Sequence, residues 1–300
     1  MKNILITGGT VFVSRYIAEY YVNKGYNVSV LNRGFHAQPK GTTLIKADRL
    51  QLGDQLVNYQ FDAILDITAY TKEDVKCLLN AVKDVKDYVF LSSSAVYPET
   101  LRQPFTEEQK VGRNRYWGDY GVNKYEAEQF LLESVPQAYI LRPPYIYGPM
   151  NNIYREAFVF DCARQDRPFY LPNDGSMQLQ FFYIEDLCRF IDILLEKHPS
   201  EHIFNLGNET GITVREWVTM CYQAAGKEAE LMNVTAEHDQ RNYFSFNNYE
   251  YKLDVTKQNK WMPETKPLKE GLVEAYSWYI DHCGEVNHKP YLKYIDENFK

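Results

Sequence analysis

The run Asp87-Tyr88-Val89-Phe90-Leu91-Ser92-Ser93-Ser94 is apolar and closes on three serines, and Tyr120-Gly121-Val122-Asn123-Lys124 follows it after a long gap. Asp87 to Ser93 has the length and composition of a strand buried on both faces, as strands of parallel sheets are. Such a strand delivers hydroxyls to its carboxyl end. The second segment opens a helix that continues Tyr125-Glu126-Ala127-Glu128-Gln129-Phe130-Leu131-Leu132, with a buried stripe through 127, 130 and 131. Tyr120 and Lys124 stand one helical turn apart on one face. A serine hydroxyl, a phenol and an ammonium brought together can move a proton to or from an alcohol.

Working outward, short apolar strands are expected at Asn3–Thr7, Tyr26–Leu31, Thr43–Ala47, Phe61–Ile67 and Ala138–Arg142. Helical patterns separate them, one reaching about Lys24 and another covering Lys72 to Val82. This alternation predicts an α/β fold, a doubly wound parallel sheet of Rossmann type with right-handed crossovers. The segment from Ser94 to Gly118 is a long loop, which in compact domains points to function or disorder. Beyond Pro149 the pattern loosens. Helices are expected near Ile153–Arg164, Ile184–Lys197, Thr213–Ala225 and Leu268–His282, with short strands near Leu179–Phe182 and His202–Leu206. The boundaries expected are 1–149 and 177–206 for the dinucleotide-binding domain. A smaller C-terminal substrate-binding domain takes 150–176 and 207–300.

After the first strand comes Thr7-Gly8-Gly9-Thr10-Val11-Phe12-Val13-Ser14. A strand, a Gly-rich turn and a helix aim backbone N–H groups at a pyrophosphate. Of the glycines that the full spacing wants at 8, 11 and 14, only Gly8 is present. Val11 stands where a phosphate approaches the backbone, and Ser14 where helix and strand pack closely. The plainer reading is a tight turn that binds no nucleotide. The second strand ends in Asn32-Arg33-Gly34. A carboxylate there would hold the ribose of NAD, whereas an arginine could take the 2′-phosphate of NADP. Arg33 inclines the site toward NADP, unless it is a solvated surface residue. Asp48, after the third strand, could accept from the adenine amino group or simply cap its loop. A second Tyr-x-x-x-Lys, Tyr20 to Lys24, has no serine strand before it and reads as structural.

The chain has 300 residues, 45% hydrophobic and 24% charged, enough to bury a sizeable core. Its net charge of -7, with no basic run, counts against nucleic acid as the main partner. The 25 tyrosines would suit a polar pocket with apolar walls, or an ordinary core. Five scattered cysteines without a C-x-x-C indicate reduced thiols, no zinc or other metal site, and a cytoplasmic protein. The sequence shows neither a leader pattern nor an apolar run long enough for a membrane.

The chain resembles the extended short-chain dehydrogenases/reductases, the NAD(P)-dependent epimerase/dehydratase family acting on nucleotide sugars. The likeness rests on the turn at 7–10, Leu91 to Tyr97, Tyr120 to Lys124 and Leu141-Arg142-Pro143-Pro144-Tyr145-Ile146-Tyr147-Gly148-Pro149. It extends to Phe181 to Leu187, Phe204-Asn205-Leu206-Gly207 and Lys252 to Lys257. The resemblance implies Tyr120 as acid/base, Lys124 as its helper and Ser93 as the catalytic hydroxyl. It implies cofactor contacts at Gly8, Thr10, Val11, Phe12, Asn32, Arg33, Asp48, Ser92, Tyr120, Lys124 and Pro143. Substrate contacts are implied at Ser94, Tyr145, Asn151, Leu179 and Arg241.

Three departures narrow the reaction. Ser94 and Ala95 stand where sugar 4,6-dehydratases carry acids. Leu179 replaces an arginine that contacts the nucleotide diphosphate, a role that Arg241 could take. The Gly-Gly-Thr turn, Asn32-Arg33-Gly34 and Asp66-Ile67-Thr68-Ala69-Tyr70 resemble an atypical branch that includes the chloroplast stem-loop-binding proteins, some of which handle RNA. The expected activity is therefore that of an epimerase or reductase of a sugar nucleotide using NAD or NADP. The alternative is a cofactor-holding RNA-binding or regulatory protein without redox turnover. A homodimer is also implied, with Val75, Leu78, Leu79 and Val82 as an apolar stripe, unless that stripe only packs on the sheet.

Overall fold

The computed structural model describes residues 2–235 and 237–299. The chain forms two compact units. The first comprises Met1–Pro144, Ile184–Gly207 and Leu253–Glu264, and the second Tyr145–Tyr183, Asn208–Lys252 and Thr265–Lys300. These boundaries differ from those drawn on the sequence, which gave 145–149 and 177–183 to the first domain and 207 and 253–264 to the second. Hydrogen bonding accounts for the last segment: Leu253 bridges Phe105, Asp254 N donates to Phe105 O, and Gly207 N donates to the Gln258 side chain at 2.8 Å.

The first unit is built on seven parallel strands. They are β1 (Asn3–Thr7), β2 (Asn27–Asn32), β3 (Thr42–Lys46), β4 (Ala63–Asp66), β5 (Asp87–Leu91), β6 (Tyr139–Arg142) and a last one, Ile203–Asn205. The spatial order is Ile203–Asn205, β6, β5, β4, β1, β2, β3. The chain therefore reverses its winding between β1 and β4, and a ligand crevice is expected outside their carboxyl ends. The sheet interior follows from its sequence: Ile4, Leu5, Ile6, Val30, Leu65, Val89, Phe90, Ile140 and Leu141 have no exposed surface.

Helix α1 (Phe12–Asn23) follows the glycine turn. Tyr20 and Lys24 on it both donate to the carboxylate of Asp192, at 2.5 and 2.6 Å. That carboxylate lies on α5 (Ile184–Lys197), so this second Tyr-x-x-x-Lys is a tie between two helices. Helix α2 (Lys72–Ala81) opens on a capping box made by Thr71 and Asp74. Its Val75 and Leu78 are fully buried with Ala127 and Leu131 of α3 (Asp119–Ser134) and with Leu5, Ile64 and Tyr88 of the sheet. Leu79 and Val82 are only partly buried against the same cluster. The centre of the apolar stripe thus serves the chain's own core.

The second unit carries short strand pairs. Tyr145–Tyr147 lies parallel to Phe181–Tyr183, Phe169–Pro172 parallel to Leu231–Val234, and Gln178–Leu179 antiparallel to Ile212–Thr213. Helices α4 (Glu156–Arg164), Val214–Ala224, Leu268–His282 and Tyr291–Asn298 complete it. Its core is aromatic. Phe181 stacks on Trp217, and Tyr145 meets Phe246 edge-on. Tyr147, Tyr183, Tyr222, Tyr243 and Tyr279 are interior, so much of the tyrosine content is core. Among the described residues no helix is long and apolar enough to cross a membrane, and all five cysteines are free thiols.

Candidate active site

Strand β5 ends at Leu91, and Ser92 and Ser93 lead into a single tight turn, Ser94–Val96. Ser93 starts that turn, its hydroxyl oxygen accepting from Ala95 N at 3.2 Å; this leaves the Ser93 proton for another acceptor. Ser94 N donates to Pro143 O at 3.0 Å. Helix α3 lies directly on this turn because residue 121 is glycine. A Cβ there would stand 2.1 Å from Ala95 O. Glycine lowers helix propensity by about 1 kcal/mol relative to alanine, but it lets the backbone of the tyrosine helix touch the serine turn. Tyr120, the neighbouring residue, remains 38% exposed.

Lys124, on the same helix face, reaches in toward the carboxyl edge of the sheet, with 2% of its surface exposed. Its Nζ donates to Ala69 O at 2.6 Å and to Leu91 O at 2.7 Å. Two of its three protons are thus bound to the carbonyls that follow β4 and end β5. The ammonium also lies 5.0 Å from the centre of the Tyr70 ring and 6.0 Å from that of Tyr120. Burial pushes the Lys124 pKa down to about 8, against the opposing pull of Asp66 and Glu128.

Two buried polar networks hold this edge, and neither was read from the sequence. Glu128, one turn beyond Lys124 on the same face, accepts from Ser92 Oγ and from Arg142, whose Nη2 and Nε lie 2.5 and 3.0 Å away. Arg142 Nη1 donates to Tyr97 Oη at 2.9 Å, and Tyr97 Oη donates to Asn205 Oδ1 at 2.7 Å. The Ser92 hydroxyl, expected near the cofactor, is therefore engaged inside the protein. In the second network Asp66 accepts from Thr7 Oγ1 at 2.8 Å, Tyr88 Oη at 2.5 Å and both terminal nitrogens of Arg49. Thr7 Oγ1 in turn accepts from Ile67 N and Thr68 N, fixing the loop whose Ala69 carbonyl holds Lys124. Arg49 keeps the Asp66 carboxyl below its usual range despite complete burial. The signals were present as Glu128 at eight residues from Tyr120 and as Arg142 in the Arg-Pro-Pro motif, but their pairing needs the folded sheet.

The glycine turn fits a pyrophosphate. Gly8 and Gly9 have φ of +89° and +86°, and a Cβ on them would meet Thr68 at 2.6 Å and Val30 at 2.5 Å. Val11 precedes α1 and makes no side-chain cap, so the first amides of α1 have no capping side chain to accept from them. Ser14, in place of the last glycine, donates to Val11 O at 3.0 Å and is buried. Val11 projects outward at 43% exposure, and Phe12 turns inward with φ of +35°. Thr10 is half-buried in the turn and Pro143 is buried beside the serines.

Further along, the Asn32 amide is engaged locally. Its Nδ2 donates to Gly8 O at 2.7 Å and Gln38 Oε1 at 2.8 Å, and its Oδ1 accepts from Gly34 N at 2.8 Å. Asp48 accepts from Leu50 N at 2.9 Å, the loop cap that was one of its two readings. Arg33 is exposed and lies 5.1 Å from the centre of the Phe35 ring.

In the second unit, three of the expected substrate residues are interior. Tyr145 is buried, its phenol pushed up to about 12 by burial. Asn151 donates to Glu156 Oε1 at 2.8 Å and accepts from Ile153 N at 3.0 Å. Leu179 is buried, in register with Ile212. Arg241 lines a cleft of about 220 Å³ with Asn173, His238, Tyr243 and Asn248.

The NAD dependent epimerase/dehydratase family matches residues 4–207. The chain belongs to that family. Among its relatives, the chloroplast stem-loop binding protein of 41 kDa b from Arabidopsis thaliana is 28% identical over 303 residues, covering 92% of this chain and 79% of that protein. The UDP-glucose 4-epimerase of Thermotoga maritima, solved with UDP-glucose, superposes with a TM-score of 0.76 at 19% identity, over 94% of this chain and 99% of that one. The dTDP-glucose 4,6-dehydratase of Bacillus anthracis, solved with NAD, gives a TM-score of 0.76 at 18% identity, over 95% and 99%. At such identities these likenesses show the family's fold.

Proposed function

We propose that the chain is a nicotinamide-dependent epimerase or reductase acting on a hydroxyl or keto group of a sugar nucleotide. The observation that carries the reading is the close seating of the tyrosine helix on the serine turn through Gly121, with Lys124 buried beneath Tyr120 between two strand-end carbonyls. The turn at Gly8 and Gly9 and the amides of α1 would hold the pyrophosphate. A bound nicotinamide supplies the hydride acceptor or donor.

The chain's residues handle the proton. Ser93 donates to the sugar oxygen and aligns it, and Tyr120 takes the proton from that hydroxyl in oxidation and returns it in reduction. A free phenol titrates near 10, so Tyr120 needs positive charge nearby. Lys124, whose ammonium lies 6.0 Å from the centre of the Tyr120 ring, supplies it. With Ser94 and Ala95 after the catalytic hydroxyl, no acid pair stands ready for water elimination, which favours epimerase or reductase over 4,6-dehydratase. In the second unit, Arg241 is a candidate for the diphosphate, in place of the arginine that Leu179 replaces.

The test is to denature the purified protein, identify released nucleotide by mass spectrometry, and incubate the native protein with a panel of UDP-, dTDP- and GDP-sugars. Conversion of one sugar nucleotide to an isomer, or its reduction with added reduced nicotinamide, supports the reading; no bound nucleotide and no turnover oppose it. A second reading, an RNA-binding protein that holds a cofactor without turnover, rests on the likeness to the Arabidopsis stem-loop binding protein, and an RNA hairpin shift assay addresses it. A homodimer is proposed as well, through Leu79, Val82 and the outer side of α3, since Val75 and Leu78 are internal. Light scattering that gives a monomer at micromolar concentration would end that proposal.

A further inference from the structure

We infer that Tyr70 is a positioning residue for the proton transfer: its ring, side by side with that of Tyr120, roofs the Lys124 ammonium, keeps water from it and holds it under the Tyr120 phenol. The inference rests on the reading of Tyr120 as the acid/base.

The shell around the ammonium shows which groups stand between it and solvent. On the sheet side are Ala69 O and Leu91 O, which take two of its protons, and the ring of Phe90, whose centre lies 4.9 Å from Nζ. Phe90 is fully buried. The other two rings are Tyr70 at 5.0 Å and Tyr120 at 6.0 Å. Both reach solvent, Tyr70 with 55% of its surface exposed, yet the lysine that they flank is closed off. The cover is therefore these two phenols, and Tyr70 is the nearer of them.

The loop that carries Tyr70 is fixed from both ends. Thr7 Oγ1 accepts from Ile67 N and Thr68 N, each at 3.0 Å. Tyr70 N and Thr71 N donate to Asp74 Oδ2 at 2.9 and 2.8 Å, as part of the cap of α2. The same short loop thus supplies a carbonyl to the ammonium at Ala69 and a ring over it at Tyr70. The Tyr70 and Tyr120 rings lie with their centres 6.1 Å apart and their planes inclined by 53°, so Tyr70 also limits where the Tyr120 ring can go. Folding does not account for the Tyr70 ring. It is largely exposed, and its hydroxyl makes no hydrogen bond among the described residues.

The chemistry of the lysine explains why its cover is aromatic. Among the described residues no carboxylate lies within ion-pair distance of Lys124. The charged groups that face it are Asp66 at the end of β4, Arg49 beyond β3, Asp74 on α2 and Glu128 on its own helix. Asp66 is bound to Arg49, and Glu128 to Arg142. A cation so placed needs contacts that attract it without hydrating it. Ring faces do this through their quadrupole, whereas an aliphatic cover would only exclude water. Burial holds the Lys124 pKa down at about 8. Without the Tyr70 ring, water beside the ammonium would relieve that penalty and raise the pKa. The same water would screen the charge on which Tyr120 depends.

The experiment measures the protonation of Lys124 directly in the full chain. Lysine labelled with ¹³C at Cε is incorporated, the Lys124 resonance is identified by its loss in Lys124→Met, and its chemical shift is followed against pH in wild type, Tyr70→Ala and Tyr70→Phe. The wild-type midpoint should lie at about 8. In Tyr70→Ala it should rise by at least about tenfold in proton affinity, toward the 10.5 of a solvated lysine, and Tyr70→Phe, which keeps the ring, should restore it. With the sugar nucleotide that the substrate panel identifies, kcat at neutral pH should fall by about tenfold in Tyr70→Ala with KM little changed, as expected when a charge is screened by water, and Tyr70→Phe should recover most of the loss. A midpoint that Tyr70→Ala does not move, or that Tyr70→Phe moves as far, overturns the inference and leaves the role of Tyr120 standing. A midpoint that moves while kcat does not denies Tyr70 a part in the proton transfer and overturns the inference as well. Absence of turnover in the wild type with every sugar nucleotide overturns the proposed function and this role with it.

Discussion

Gly121→Ala tests the geometry on which the site depends. In an open helix this change would stabilise by about 1 kcal/mol. Here the added methyl would stand 2.1 Å from Ala95 O and 2.8 Å from its carbonyl carbon, where ordinary contact begins near 3.4 Å. The obstacle is backbone, so no side-chain rotation relieves it, and helix and turn must separate by roughly 1 Å. Overpacking of this kind costs about 1–3 kcal/mol. With backbone on both sides of the contact the upper part of that range, about 2–3 kcal/mol, applies, and less the propensity gain of about 1 kcal/mol it leaves a net loss of about 1–2 kcal/mol. The same displacement carries Tyr120 away from Ser93, and a 1 Å misplacement in an active site can cost about 10²-fold in rate. Urea unfolding, followed by aromatic fluorescence, measures the first effect. Gly284→Ala is the control, because a Cβ there meets nothing within 4 Å; it should be neutral or slightly stabilising. If Gly121→Ala proved as stable as the wild type, α3 would not rest on the serine turn as described, and the route by which Tyr120 reaches Ser93 would be wrong.

Two other variants probe the supporting networks. Arg142→Met leaves Glu128 buried beside Ser92 without its cation, and stability should fall by about 3–5 kcal/mol in urea, while the double variant Arg142→Met/Glu128→Leu recovers most of the loss; a single variant at wild-type stability would deny the pair its structural role. Lys124→Met should change the pH dependence of stability. Folded Lys124 releases its proton at about 8, against 10.5 in the unfolded chain, so in this range the unfolded chain binds more protons and the lysine's penalty is relieved as pH rises. Buried Cys162, Cys188 and Cys221 have raised pKa values and act in the opposite sense, but they act equally in both proteins. The wild-type stability minus that of Lys124→Met should therefore grow by about 2 kcal/mol from pH 7.5 to 9.5, and a constant difference would mean that Lys124 titrates normally.

The order of strands and helices in the first unit was legible because each element has its own local signal. Buried strands are short apolar runs, and α2 carries its capping box in sequence. What seats the tyrosine helix on the serine turn, Gly121 against Ala95 O, was announced by no motif. What escaped is long-range pairing of polar groups. Ser92 looked like a ligand contact until Glu128 and Arg142 met it across the sheet. Asn32 looked available for a ribose until the turn carbonyl of Gly8 and the loop residue Gln38 closed on it. The domain boundaries slipped at 145–149, 177–183 and 253–264 because short elements give no sign of which core they join; for the last, the bridge from Leu253 to Phe105 decides it. In the second unit, strands such as Phe169–Pro172 and Leu231–Val234 are too short for periodicity to show.

The most direct test of the central claim is single-turnover hydride transfer in wild type and in Tyr120→Phe, each loaded with oxidised nicotinamide nucleotide and mixed with the sugar nucleotide that the substrate panel identifies. The phenylalanine keeps the ring and removes only the hydroxyl. The reduced nicotinamide formed, read by its near-ultraviolet absorbance, should appear at least about 10²-fold more slowly in the variant, the loss expected for a missing general base, with dinucleotide affinity unchanged. Equal rates in the two proteins would contradict the assignment of Tyr120 and, with it, the proton path through Ser93 and Lys124.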